Sequence, residues 1–154
     1  MIDYAVNEPN TMNVDEVLEF LVETDDLAVP PLSKLVDLEE YAKKITSKAV
    51  IFTARDAGRL IGLTAIYFNK APNYSYTSMT MVKREYQLVE MVGMELSNRV
   101  RDYAQGNGSA GLRYEIRKSN KPLLRYHLRK GAKILSEKVY PGTDIVSLLM
   151  EITY

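Results

Sequence analysis

The 154-residue chain holds one histidine, His127, and no cysteine. Thiol catalysis, cysteine zinc sites, multi-histidine metal centres and disulfides are therefore excluded, and no metal site is expected. The remaining polar chemistry is unevenly spread. Residues 113 to 133 carry eight basic side chains, Arg113, Arg117, Lys118, Lys121, Arg125, Arg129, Lys130 and Lys133, against Glu115 alone. Such a segment either presents a positive field to an anionic ligand or forms the solvated face of a basic helix. Residues 1 to 47 carry eleven acidic and three basic side chains, a local balance of minus eight. The zero net charge of the whole thus conceals a polarised chain. No nucleic-acid motif accompanies the basic segment and the pI of about 6.6 is not basic, so nucleic acid is not an expected partner.

The elements that must position these groups follow from capping signals and periodicity. Asn13 with Glu16, and Asp37 with Glu40, form capping boxes that open two helices. The first should run toward Pro30-Pro31, and the second should bury Leu38, Tyr41, Ala42 and Ile45. Residues 49–55 and 60–68, rich in β-branched and aromatic side chains, form a hairpin across residues 56–59, and residues 74–82 supply a third strand. From Tyr86 the apolar side chains Val89, Leu96, Val100 and Tyr103 recur at helical spacing, which predicts the longest helix. Residues 112–117 alternate as a strand. Asn120 caps a short helix with Pro122 in its first turn and Gly131 just past its end. Two closing strands, 132–140 and 145–154, meet at Pro141-Gly142, and residues 2–6 read as an initial strand. The order predicts an α+β fold with a mixed sheet, in which strands 74–82 and 112–117 lie parallel across the long helix.

With 46% hydrophobic residues the chain is expected to fold as a single domain over residues 1–154, burying roughly 70% of its unfolded surface around one core. No stretch approaches the ~18 apolar residues of a membrane span. Met1-Ile2-Asp3-Tyr4 lacks the basic start of a secretion signal, so a cytoplasmic chain is expected, with no membrane partner.

This succession resembles the GNAT superfamily of acyl-CoA N-acyltransferases over nearly the whole chain. Leu112 to Ala132 is similar to the family's strand, Asn-Lys-Pro-Ala, Phe-Tyr and Gly-Phe signature, with Asn120, Lys121, Pro122 and Gly131 in place. Val82-Lys-Arg-Glu-Tyr-Gln87 resembles the strand end that precedes the family's pyrophosphate loop. Pro30 to Ser33 and Val36 to Tyr41 resemble the N-terminal helices of some members. The resemblance implies a mostly antiparallel central sheet of six to seven strands flanked by about four helices, with acetyl-CoA as co-substrate. It assigns pantetheine binding to main-chain groups at Met81 and Val82, and the pyrophosphate to Gln87, Leu88, Val89, Glu90, Met91 and Val92, with Asn120 nearby.

Two departures bear on function. The family loop reads Arg/Gln-x-x-Gly-x-Gly/Ala because small residues let backbone N–H groups approach phosphate. Here Glu90 and Val92 hold the two small positions. A carboxylate about 5 Å from one phosphate charge would cost roughly 3 kcal/mol at an effective dielectric of 20, on the order of a hundredfold in affinity. Lys83 and Arg84 can offset this charge. The family's general acid, a tyrosine, maps to His127, which can still donate to the departing sulfur. His127 also reads as a last-turn histidine complementing its helix dipole. Tyr126 offers a neighbouring hydroxyl. Because residues 74–82 hold no carboxylate, a base would act through water held by Tyr76, Ser78 or Thr80, or come from the acidic N-terminal helices. Met79, Met81, Met91 and Met94 read as core filling.

Two functions fit. One is transfer of an acyl group, acetyl by preference, to a small primary amine by direct attack on the thioester. The other is a non-catalytic GNAT-fold module that has lost acyl-CoA affinity and serves as a binding or interaction protein. The apolar closing strand, 145–154, is expected to be covered or to pair with a second copy in a homodimer.

Overall fold

Asn13 and Asp37 accept hydrogen bonds from the backbone N–H groups of Glu16 and Glu40, at 3.1 and 2.9 Å, and so start the first two helices. The computed structural model describes residues 1–71, 73–88 and 91–154, with the backbone alone at 69–71. Its elements are β1 (Ile2–Asn7), α1 (Val14–Thr24), α2 (Leu38–Lys48), β2 (Val50–Asp56), β3 (Arg59–Ala71), β4 (Tyr74–Val82), α3 (Val92–Gly106), β5 (Gly111–Arg117), α4 (Lys121–Arg129), β6 (Lys133–Val139) and β7 (Val146–Thr153). The sheet order is β1-β2-β3-β4-β5-β7-β6. β4 with β5 is parallel, and β1 with β2, β2 with β3, β5 with β7 and β6 with β7 are antiparallel. This is the expected α+β architecture with its mixed sheet. The residues group into two compact units, 1–67 with 78–100 and 68–77 with 101–154.

In the first unit, α1 and α2 bury Val17, Phe20, Leu21, Ala42 and Ile45, and the β2–β3 hairpin buries Ile51, Phe52, Ile61 and Leu63. The hairpin turns through Ala57 and Gly58, both at positive φ (51° and 82°), which is a two-residue type I′ connection tighter than the four-residue turn expected. Gly62 makes a close approach: a Cβ there would lie 3.1 Å from Val92 Cγ1 and 3.3 Å from Leu96 Cδ1 of α3, so those side chains would have to give by a few tenths of an ångström. α1 stops at Thr24, well short of the prolines, and a 3-10 turn follows at Asp25–Leu27. There the Asp25 carboxylate accepts from the Ser33 backbone and hydroxyl, drawing the chain out of the helix.

The start of α3 also departs from expectation. Residues Arg84–Tyr86 form a 3-10 turn and the helix begins at Val92. Tyr86, the first residue of the helical stripe in the sequence, instead donates its hydroxyl to Asp56, and Gln87 Nε2 donates to the Val82 carbonyl at 2.9 Å. Tertiary bonds thus outweigh local periodicity.

In the second unit, β4 and β5 pair in parallel from Tyr74↔Gly111 to Tyr76↔Arg113, as expected. Tyr114, Ile116, Ala132, Leu148 and Met150 form the core, with Leu112, Leu124 and Ile152 packed against it. A Cβ on Gly111 would fall 2.2 Å from the Ile152 carbonyl and 2.5 Å from the Tyr74 ring, so only glycine fits. The closing strand is not a free margin of the sheet: β7 lies between β5 and β6 and pairs with both. The margin is β6, exposed at all seven residues and bulged at Leu135.

Candidate active site

Alternation along β5 sends Tyr114 and Glu115 to opposite faces. On one face, Tyr114 OH lies 2.6 Å from His127 Nδ1 in the last turn of α4, with the rings 4.9 Å apart. Burial pushes the Tyr114 phenol up to about 12. Burial, and then the charge of Lys130, hold the imidazole below its ordinary 6.5. A neutral imidazole offers one lone pair; with Tyr114, the better acid of the pair, donating to Nδ1, the ring hydrogen would reside on Nε2. Tyr126 meets His127 edge-on at 5.3 Å, lies under Lys130, and is 40% exposed. Asn120 Oδ1 caps α4 by accepting from Leu123 N at 3.4 Å.

On the other face, Glu115 collects donors from three strands and the turn after β6. Tyr140 OH and Ser147 Oγ donate to Oε1 at 2.7 and 2.8 Å. Tyr76 OH donates to Oε2 at 3.1 Å, and Lys138 Nζ sits 3.1 Å from the same oxygen. Arg117 approaches Oε1 at 3.9 Å. Burial pushes the Glu115 carboxyl up, but the hydrogen bonds from Tyr140, Ser147 and Lys138 outweigh it and leave the group below the ordinary carboxylate range.

The basic segment is thereby divided. Arg113 pairs with Glu151, Lys118 pairs with Glu137, and Arg117 stacks on Tyr140, while Lys121, Arg125 and Arg129 lie on the exposed surface of α4. Sequence reasoning did not single out Glu115, Lys138, Tyr140 or Ser147 as a site, and named Tyr76 only as a holder of water. The signal present was the lone acid in an otherwise basic segment, on a strand whose alternation places it beside Arg113 and Arg117.

Of the residues assigned to the cofactor, Asn120 lies in the second unit, and Met81, Val82, Gln87, Leu88, Met91 and Val92 lie in the first. Val82 is buried, its carbonyl accepts from Gln87, and Met81 is partly exposed. Leu88 is 91% exposed; Met91 is 55% exposed and sits in the left-handed region at φ 52°. Val92 is fully buried against Gly62, so its isopropyl group belongs to the core and does not obstruct the helix start, as its place in the motif had suggested. Val89 and Glu90 lie outside the described residues.

A break in β4 lies in the same unit. From Gly62 to Ile66, beyond the register shift at Ile61, β3 alternates regularly against β2, so Gly62 and Thr64 share the face that meets α3. Tyr67, on the opposite face, lies under Lys44 of α2. Thr80 bonds Thr64 at 3.2 Å, yet Ser78 bonds Tyr41 of α2. Residues two apart in a regular strand share a face, so the pleat of β4 is interrupted between Ser78 and Thr80. The hydroxyls expected to hold a catalytic water therefore have protein partners: Glu115 for Tyr76, Tyr41 for Ser78 and Thr64 for Thr80. The described residues contain no group of three or more potential metal ligands, and no helix among them is long and apolar enough to cross a membrane.

This order of elements is the fold of the GNAT N-acyltransferases. No protein-family model and no curated protein matches the sequence. Among solved structures, the ribosomal-protein-S18-alanine N-acetyltransferase of Escherichia coli is similar with a TM-score of 0.76 at 17% identity, covering 99% of this chain and 94% of that one. A GNAT-family acetyltransferase from Streptococcus pneumoniae is similar with a TM-score of 0.70 at 14% identity over 98% and 99% of the two chains. A Bacillus anthracis protein assigned as a streptothricin acetyltransferase, solved with acetyl coenzyme A, matches with a TM-score of 0.58 at 19% identity. The match covers 70% of this chain and 63% of that one.

Proposed function

We propose that the chain is an acyl-CoA-dependent N-acyltransferase that moves an acyl group, acetyl by preference, to a primary amine by direct attack on the thioester. The observation that carries this reading is the likeness to the E. coli N-acetyltransferase over nearly the full length of both chains. The side chains are compatible with it. Main-chain groups at Met81 and Val82 would hold pantetheine. Gln87, Leu88 and Met91, with the N–H groups that begin α3, would face the pyrophosphate, where a helix start favours negative charge.

In the second unit, Glu115 would attract the amine as its ammonium and hold it while its proton passes to water. The nitrogen lone pair attacks the carbonyl carbon, the C–N bond forms and the C–S bond breaks. His127 would present Nε2–H to the departing sulfur as a neutral hydrogen-bond donor, since its environment disfavours the imidazolium. Tyr126 would flank it.

A thermal shift with acetyl-CoA tests the proposal. A ligand at a hundred times its Kd, bound only by the native state, adds about 2.7 kcal/mol of stability. A clear upward shift together with amine-dependent thiol release is the expected result. No shift at millimolar acetyl-CoA would remove the enzyme reading and leave a non-catalytic module of the same fold.

A further inference from the structure

One partner of Glu115 differs from the others. Tyr140 and Ser147 occupy Oε1, Tyr76 donates to Oε2, and these three side chains are buried or half-buried. Lys138 takes the remaining acceptor position of Oε2 at 3.1 Å from the marginal strand β6, with 57% of its side chain exposed. Its ammonium also lies 5.2 Å from the centroid of the Tyr140 ring. A carboxylate oxygen and an aromatic face around one ammonium constitute the chemistry of a primary-ammonium site. The exposed ion pair that fills the position is weak, worth about fivefold in an equilibrium at most. The core of the cradle does not depend on Lys138, because Tyr76, Tyr140 and Ser147 hold the carboxylate without it.

We propose that this position is an exchangeable ammonium site: Lys138 is its resident occupant, and the end of an unbranched primary alkylammonium displaces it, binding Glu115 with its stem along Tyr140. The inference deepens the acyltransferase reading and rests on it only in making that ligand the acceptor; occupancy itself requires no acyl-CoA. It narrows the acceptor to a primary amine on a flexible aliphatic chain, and it makes Lys138 a residue that sets the apparent affinity for that amine.

The test is calorimetric titration of n-butylammonium into the protein at pH 7 without acyl-CoA, with n-butanol as the uncharged control. Lys138→Ala should bind n-butylammonium about three- to fivefold more tightly than the natural chain. Adding Glu115→Gln should abolish that binding, with thermal melts checking that the variant is folded. In the Lys138→Ala background, Tyr140→Leu keeps the carboxylate and should weaken binding by about two- to fivefold. Equal affinity in the natural chain and Lys138→Ala, or equal binding of n-butanol, would overturn the proposal. Butylammonium binding without acyl transfer would remove the transferase reading alone, whereas acyl transfer with no gain in Lys138→Ala would remove this inference alone.

Discussion

Two neighbouring residues of β5 open onto environments that set charge in opposite senses. Behind Tyr114, burial dominates and His127 is kept neutral. Around Glu115, burial is opposed by the hydroxyls of Tyr140 and Ser147 and by the Lys138 ammonium, and the carboxylate is kept ionised. The difference lies in how many donors converge, because His127 and Glu115 are both only partly exposed. One strand can therefore carry a negative site on one face and a neutral hydrogen-bond donor on the other, separated by a single peptide unit. That division suits a reaction in which a proton leaves an amine and a sulfur needs a donor.

The largest expected break in this comparison comes from Glu115→Gln, which keeps the shape and removes the charge. Amine-dependent thiol release should fall by at least about a hundredfold in kcat/KM, measured by initial rates at saturating acetyl-CoA. His127→Phe removes the donor on the other face. It should lower kcat by about ten- to a hundredfold and leave the KM for the amine near its starting value.

Acid stability separates the faces more finely. Between the ordinary imidazole value of 6.5 and the lower one in the fold, the unfolded chain binds a proton that the folded chain does not, so stability drops as pH falls through that window. His127→Gln should flatten chemical-denaturation midpoints across that window. The Glu115 contribution is present above 4.5 and is lost only as pH falls through its still lower folded value. The smallest effect is on His127 itself. As the chain's one histidine it gives an unambiguous proton NMR titration, with a midpoint below 6.5 that Lys130→Ala should move upward.

What could be read from the chain before its structure was what local chemistry decides. The caps at Asn13, Asp37 and Asn120 appear where expected because each needs only a side chain and a backbone N–H three residues on. The parallel placement of β4 and β5 follows from an intervening helix and a handedness rule. The start of α3 was misread because Tyr86 keeps helical spacing while its hydroxyl is claimed by Asp56, thirty residues away. Val92 looked like an obstruction in the motif because nothing in the sequence shows Gly62 lying opposite it. Glu115 passed as one acid among bases because its donors, Tyr76, Tyr140 and Ser147, come from segments that only the sheet order brings together. The excess acid of residues 1–47 likewise finds partners far along the chain. Part of it is consumed internally, by Glu16 with Arg55, Glu23 with Lys83 and Asp26 with Arg84.

The extra residue at Leu135 has a bearing on behaviour at high concentration. A straight outermost strand offers evenly spaced amide and carbonyl groups to any extended peptide, and chains so exposed polymerise edge to edge. Here the insertion throws that spacing out of step halfway along, and Lys133 and Lys138 bracket it with positive charge. Straightening the segment by deleting Leu135 should therefore leave a protein that folds but precipitates or forms fibres when concentrated.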